Sequence, residues 1–184
     1  MAHFYTIGLS KRLIMDTPTK ENLNGAEAAK KIKELAEAAR IGLMITNVHQ
    51  VPLSMRPMAT QKVDEQGNVY FLSIKSTDAV MHINASPEVQ LAYSNQDKSE
   101  YMGLYGRAEI YRDQKEIDEM WNSFIKTWFP EGKDDPNLII IRFKPEQGYY
   151  WDTKHGKVVQ LLGIMYGAVT GKETDDSLEG KINL

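Results

Sequence analysis

The sequence predicts a β-rich α+β domain, an antiparallel β-barrel of six to seven strands with peripheral helices. Short runs rich in β-branched and aromatic residues recur along the 184-residue chain, bounded by Gly, Pro, Asn or Asp. The early runs follow one another without the helical crossovers that parallel strands need. Three segments with helical spacing are interspersed among them.

Residues 25–40 are rich in Ala, Glu and Lys, and Ala28, Ile32, Leu35, Ala36 and Ala39 fall at helical spacing, giving one inward apolar stripe. Gly42 stands where a helix commonly ends on a left-handed residue. Residues 43–48 read as a strand, and residues 51–63 as a second one interrupted by Pro52 and Pro57. Proline donates no ladder hydrogen bond, so this strand is expected at an edge, at a bulge or open to a ligand. Asp64-Glu65-Gln66-Gly67-Asn68 is a turn, and residues 69–74 return as a third strand of an antiparallel meander.

Residues 78–84 read as a short helix stopped by Ala85-Ser86-Pro87, because proline cannot continue a helix and disfavours helical geometry before itself. Strands follow at 89–94 and 101–111. A third helix is predicted over 114–128, where Ile117, Met120, Trp121, Phe124 and Trp128 make a broad face suited to covering a barrel. Leu138-Ile139-Ile140-Ile141 marks a buried strand over 137–143, and Tyr149-Tyr150-Trp151 another after Gly148. In 158–169 the apolar positions favour a short helix that Gly163 and Gly167 weaken. Residues 172–184 are polar and expected to form a loose tail.

This length suits one domain, since two independent units would each be thinly stocked with apolar residues. Apolar residues make up 42% and charged residues 26%, a globular composition. The 22 basic and 25 acidic residues give a net charge of -3 and no basic face, so nucleic acid is not an expected partner. The absence of cysteine removes disulfides, thiolate nucleophiles and sulfur-ligated zinc, and fits a cytoplasmic protein. Met1-Ala2-His3-Phe4-Tyr5 does not open a leader pattern, and no stretch approaches the ~20 apolar residues of a membrane span.

His3, His49, His82 and His155 show no metal-binding spacing, and the chain lacks a phosphate loop and a Gly-x-Ser-x-Gly elbow. Asp134-Asp135 and Asp175-Asp176 read as solvated acids. Of the three tryptophans, Trp121 and Trp128 read as core, while Trp151, beside Tyr149 and Tyr150, keeps a claim to a ligand. The chemically informative stretch is Ser54-Met55-Arg56-Pro57-Met58-Ala59, taken with Tyr70 through Thr77. Arg56 and Lys75 supply two cations, and Ser73, Ser76 and Thr77 three hydroxyls, where the chain turns toward a helix start; that is a cradle for one phosphate or a solvated strand end.

At these residues the chain resembles the general stress protein branch of the pyridoxamine phosphate oxidase-like split barrels. The leading helix, the Arg-Pro-Met strand and the following strand with its hydroxyl and basic segment match. So do the helix ending in Ser86-Pro87, the Trp128-Phe129-Pro130 exit with its acidic loop, and Tyr150-Trp151-Asp152. The resemblance implies a split β-barrel over 25–171, an N-terminal extension over 1–24, the tail over 172–184, and a homodimer with flavin mononucleotide (FMN) at its interface. It implies cofactor contacts from Arg56, Pro57, Met58, Ser73, Lys75, Ser76 and Thr77, with Trp151 added. One position departs from the family pattern: related proteins often carry Lys two residues beyond Thr77, where this chain has Ala79. Loss of one cation removes about 1–3 kcal/mol from a phosphate site.

The implied activity is that of a flavin-dependent oxidoreductase or stress-related redox protein in which the cofactor carries the electrons, on a small-molecule substrate the sequence does not identify. The alternatives are a non-catalytic carrier of flavin or another planar cofactor, such as haem or a deazaflavin, and a cofactor-free interaction dimer. Vitamin B6 oxidation is not expected, because the tail after Gly171 holds only Lys172 and Lys181 in place of a basic and His pattern.

Overall fold

The computed structural model describes residues 19–153 and 177–184. Two short strands, β1 (Thr19–Lys20) and β2 (Leu23–Asn24), lead into helix α1 (Gly25–Ala39). Then come β3 (Ile41–Thr46), β4 (Ser54–Ala59), β5 (Lys62–Val63), β6 (Val69–Ile74), α2 (Asp78–Ala85), β7 (Glu88–Asn95) and β8 (Glu100–Tyr111). The chain continues through α3 (Gln114–Met120), α4 (Ser123–Trp128), β9 (Leu138–Thr153) and β10 (Ser177–Asn183). The helical stripe read in 25–40 is buried as expected at Ala28, Ile32, Leu35 and Ala36. The left-handed residue that ends α1 is Arg40, not Gly42; Gly42 lies in β3, where the Tyr93 ring leaves no room for a Cβ.

The described strands form one sheet that is mixed and not closed, in place of six to seven antiparallel strands. Its backbone order is β4-β3-β7-β8-β9, and at β9 it forks. Residues 138–143 of β9 pair with β6, while residues 147–153 pair with β10. Both halves pair with β8 on the other side. The parallel pairs β1–β10 and β2–β10 make the sheet mixed. Residues 177–183, expected as part of a loose tail, are therefore a paired strand. Their sequence is polar because the strand is only partly covered, with Ile182 as its buried anchor.

The fork explains why β9 reads as a continuous apolar run. Ile139, Ile141 and Phe143 face a main core shared with Ile32, Met44 and Phe71. Leu138 and Ile140 face a second cluster with Tyr70, Leu72, Ile117 and Ile125 beneath α3 and α4. A strand buried on both faces loses the polar alternation of a half-exposed one. The two strands expected at 137–143 and 149–151 are one, bent at a bulge where Gly106 lies against Lys144 and Pro145.

Two further expectations change. The meander stops after β3 and β4, because β6 pairs with β9 and β5 and lies beside β4 without backbone pairing. The helix expected over 114–128 is two helices, since the Asn122 side chain accepts hydrogen bonds from the Phe124 and Ile125 N–H groups and starts α4 afresh. The ambiguous 158–169 segment and His3, His155, Lys172 and Asp175-Asp176 lie outside the described residues.

The β5–β6 turn is fixed by Asp64, which accepts from Gln66 N at 3.0 Å, Asn68 N at 2.9 Å, Asn68 Nδ2 at 2.8 Å and the Tyr70 hydroxyl at 2.9 Å. Partial burial pushes its carboxyl up, but the hydrogen bonds from Asn68 and Tyr70 outweigh that and hold it below the ordinary aspartate value. Its contribution is thus complete above the unfolded value of about 3.9 and disappears as pH falls through the lower folded value. Urea melts between pH 2 and pH 6 should show Asp64→Asn losing part of this acid dependence. Gly106→Ala should destabilise the fold by about 1–3 kcal/mol in the same assay, because a Cβ there would collide with the Lys144 carbonyl oxygen.

Candidate functional site

Strand β4 is an edge: it pairs with β3 and, among the described residues, with nothing on its other side. Pro57 suits that position because it has no N–H to offer a further strand. The antiparallel register sets Arg56 opposite Met44 and Ser54 opposite Thr46, so these four side chains share one face. Met44 and Thr46 are fully buried, so the register carries the Arg56 guanidinium inward.

There Arg56 Nη1 donates to Thr46 Oγ1 at 2.9 Å and Nη2 to Ser54 Oγ at 2.6 Å. Thr46 Oγ1 is in turn 3.0 Å from His82 Nδ1 on α2. Burial lowers the Arg56 pKa from the ordinary arginine value; Asp78, the first residue of α2, opposes this through space and not through a hydrogen bond. Two of five guanidinium N–H donors are committed. A partly buried cation held by neutral hydroxyls, with donors to spare, is suited to an anion.

The hydroxyl segment lies at the start of the same helix. Ser73 is buried and its Oγ is 3.2 Å from Thr77 Oγ1, while Thr77 is the N-cap of α2 and makes no side-chain capping bond. Lys75 and Ser76 are exposed in the turn between β6 and α2. Ala79 is 1% exposed, so its Cβ faces the interior, and Arg56 is the cation set beside α2.

Along the unpaired edge of β4 runs an apolar cavity of about 310 Å³. Pro57, Met58 and Leu72 form its floor and α4 contributes Phe124 and Trp128. Phe124 and Trp128 pack on each other with centroids 6.5 Å apart yet are 56% and 69% exposed, so they do not cover the barrel core as their spacing suggests. Gln61 is the sole polar side chain among the described lining residues, and its Nε2 is bonded to the Ala59 carbonyl.

The structure thus brings Arg56, Pro57, Met58, Ser73 and Thr77 to one end of the sheet but leaves Trp151 elsewhere. Trp151 is on β9, four strands from β4, about 19 Å measured along the sheet at ~4.8 Å per strand. Its indole stacks near Tyr149, with centroids 6.4 Å apart, and donates to Glu179. Cross-strand register puts Pro57, Leu43, Ala92, Gly103, Tyr149 and Lys181 in one row on the outer face of the sheet. That face exposes Ile41, Leu43, Met55, Tyr101, Tyr149 and Trp151 and holds a second cavity of about 550 Å³.

Sequence reasoning missed Thr46, His82, Leu72, Phe124 and Trp128. The β3–β4 register, had it been known, would have found Thr46 opposite Ser54. His82 follows Asp78 by one helical turn, the i,i+4 spacing that puts both on the face toward β4.

Residues 27–175 match the model of the family described as pyridoxamine 5'-phosphate oxidase like. General stress protein 26 of Bacillus subtilis (strain 168) is 33% identical over 81 residues, which are 42% of this chain and 57% of that protein. The match therefore spans little more than half of that relative. A structure assigned as general stress protein 26 from Jannaschia sp. CCS1 superposes with a TM-score of 0.73 at 24% identity, covering 86% of this chain and 99% of that one. The general stress FMN/FAD binding protein of Xanthomonas citri gives a TM-score of 0.58 at 21% identity, covering 68% and 87%. The forked, unclosed sheet is the fold of these structures, and with the family match extending over most of the sequence, this chain belongs to the pyridoxamine 5'-phosphate oxidase-like family.

Proposed function

We propose that the chain binds FMN along the free edge of β4 and acts as a flavin-dependent oxidoreductase of the general stress protein type. The observation that carries the reading is Arg56, a partly buried guanidinium tied to two hydroxyls, with three N–H donors uncommitted among the described residues. Such a donor set takes a carboxylate or a phosphate, and the terminal phosphate of FMN is the anion the flavin reading supplies. The Ser73 and Thr77 hydroxyls and the backbone at the start of α2 would add neutral donors, with Lys75 and Ser76 at the rim. Pro57, Met58 and Leu72 would support the flat ring, since the cavity there is apolar and about 310 Å³, within the range of small-molecule sites.

Bound flavin supplies the electron transfer, so the protein needs no acid or base of its own for that step. This agrees with a cavity whose described lining residues include no titratable side chain. The outer face supports the second half of the reading, a homodimer. Its exposed aromatic and aliphatic side chains resemble the core of a subunit interface, and a two-fold partner would carry Trp151 toward the opposite β4 edge. The family match and the Xanthomonas citri neighbour support flavin as the ligand class.

Added FMN should raise the melting temperature, as any ligand specific to the folded state must. Fluorescence titration of Arg56→Ala should show FMN binding weakened about tenfold or more, with riboflavin affinity nearly unchanged, because only FMN presents the phosphate. Equal losses for both ligands, or no thermal shift in the wild type, would sink the proposal. Light scattering should give a dimer for the wild type and a monomer for Leu43→Glu, which puts a charge in the middle of the outer face. Anaerobic reduction by a nicotinamide nucleotide, followed by reoxidation with candidate acceptors, distinguishes turnover from storage.

A further inference from the structure

We infer that His82 and Thr46 are positioning residues: through a two-bond relay, His82–Thr46–Arg56, they aim the Arg56 guanidinium at the flavin phosphate. The inference rests on the flavin reading above and extends it to residues that touch no ligand. Thr46 is fully buried, so each hydrogen-bonding group on its hydroxyl needs a partner within the protein. Its oxygen accepts from Arg56 Nη1, which leaves the hydroxyl hydrogen to be placed. Among the described residues the acceptor within reach is His82 Nδ1, at 3.0 Å.

The arrangement that satisfies all three groups is therefore directional. Thr46 donates to a bare Nδ1, the His82 proton sits on Nε2, and Arg56 donates to Thr46. With the proton on Nδ1, the Thr46 oxygen would accept twice and its buried hydroxyl hydrogen would have no acceptor, which disfavours that tautomer. The relay thus fixes one tautomer of His82 and one rotamer of Arg56 together. Ser54 holds the second nitrogen of the guanidinium at 2.6 Å, so the planar group is clamped at two points on one edge. Its remaining donors are held in a fixed direction before any anion arrives, which is how a preorganised site gains affinity. Asp78 sits one turn before His82 on α2, so its charge helps keep the guanidinium near the helix.

Two measurements test this. In flavin-free wild-type protein, nitrogen chemical shifts of His82 should show the Nε2–H tautomer, and Thr46→Val should shift the population toward Nδ1–H; a wild-type Nδ1–H tautomer overturns the relay. Paired titrations then read its effect on the ligand. Thr46→Val, which keeps shape and β propensity, should bind FMN about tenfold more weakly with riboflavin unchanged, and Thr46→Ser should restore the wild-type ratio. His82→Leu should behave like Thr46→Val, while His82→Asn, whose carbonyl oxygen replaces Nδ1 as acceptor, should retain discrimination. An unchanged ratio in Thr46→Val, while Arg56→Ala selectively loses FMN, overturns the relay and leaves the flavin reading standing. Equal loss of both ligands would mark Thr46 as merely structural and overturn the relay as well. If wild-type protein takes up no FMN, the flavin reading fails and the tautomer measurement alone decides the relay.

Discussion

Strand β9 is the element on which the rest of the structure depends, because sixteen residues of it must serve two cores and three neighbouring strands. Its first half is buried on both faces, between the main core under α1 and the smaller one under α3 and α4. Its second half turns at the Gly106 bulge to pair with β10. A strand committed to β6 in one half and β10 in the other cannot belong to a simple closed ring. The sheet forks, and β4, paired with β3 on one side, lies beside β6 with its other edge unpaired among the described residues. The opening in the barrel follows from the burial demands of β9.

That opening sets the chemistry. A free strand edge presents main-chain donors and acceptors, and proteins commonly protect such edges. Here Pro57 removes one donor, and α4 lays Phe124 and Trp128 across the gap. The edge is shielded from another strand yet accessible to a small flat molecule. At one end of it Arg56 gives up part of its hydration for two hydroxyl partners. Neutral acceptors offset only part of the desolvation of a cation, which is why burial dominates the shift of its pKa. A bound anion would restore the balance, which is the physical basis of the flavin proposal.

The two faces of β3 divide the labour of the site. Met44 and Thr46 point inward, and through Thr46 the core fixes the direction of Arg56. Leu43 and Ile41 point outward into the apolar face that runs across to Tyr149 and Trp151. One register therefore couples the Arg56 cluster, the apolar cavity and the outer surface. A slip of one residue would exchange the faces and dismantle all three.

Local pattern alone determined α1, β6, α2, β7 and β8 closely, because each combines a clear period with a Pro, Gly or polar stop nearby. It also drew attention to Arg56 beside Pro57 and to Ser73, Lys75, Ser76 and Thr77, since a cation beside a ladder-breaking proline and a hydroxyl-rich helix start are features of composition and order. What it could not determine was pairing. The sequence of 177–183 is polar, and its place as β10 rests on partners more than twenty residues away in β9 and at the N-terminal end in β1 and β2. The exposure of Phe124 and Trp128 turned on the Asn122 cap, and the role of Thr46 and His82 on a register that joins three separate elements. Periodicity reports which residues seek burial or hydrogen bonds; which groups satisfy one another is a non-local choice, made by the tertiary arrangement that buries the first half of β9 on both faces and, among the described residues, leaves few polar groups unpaired.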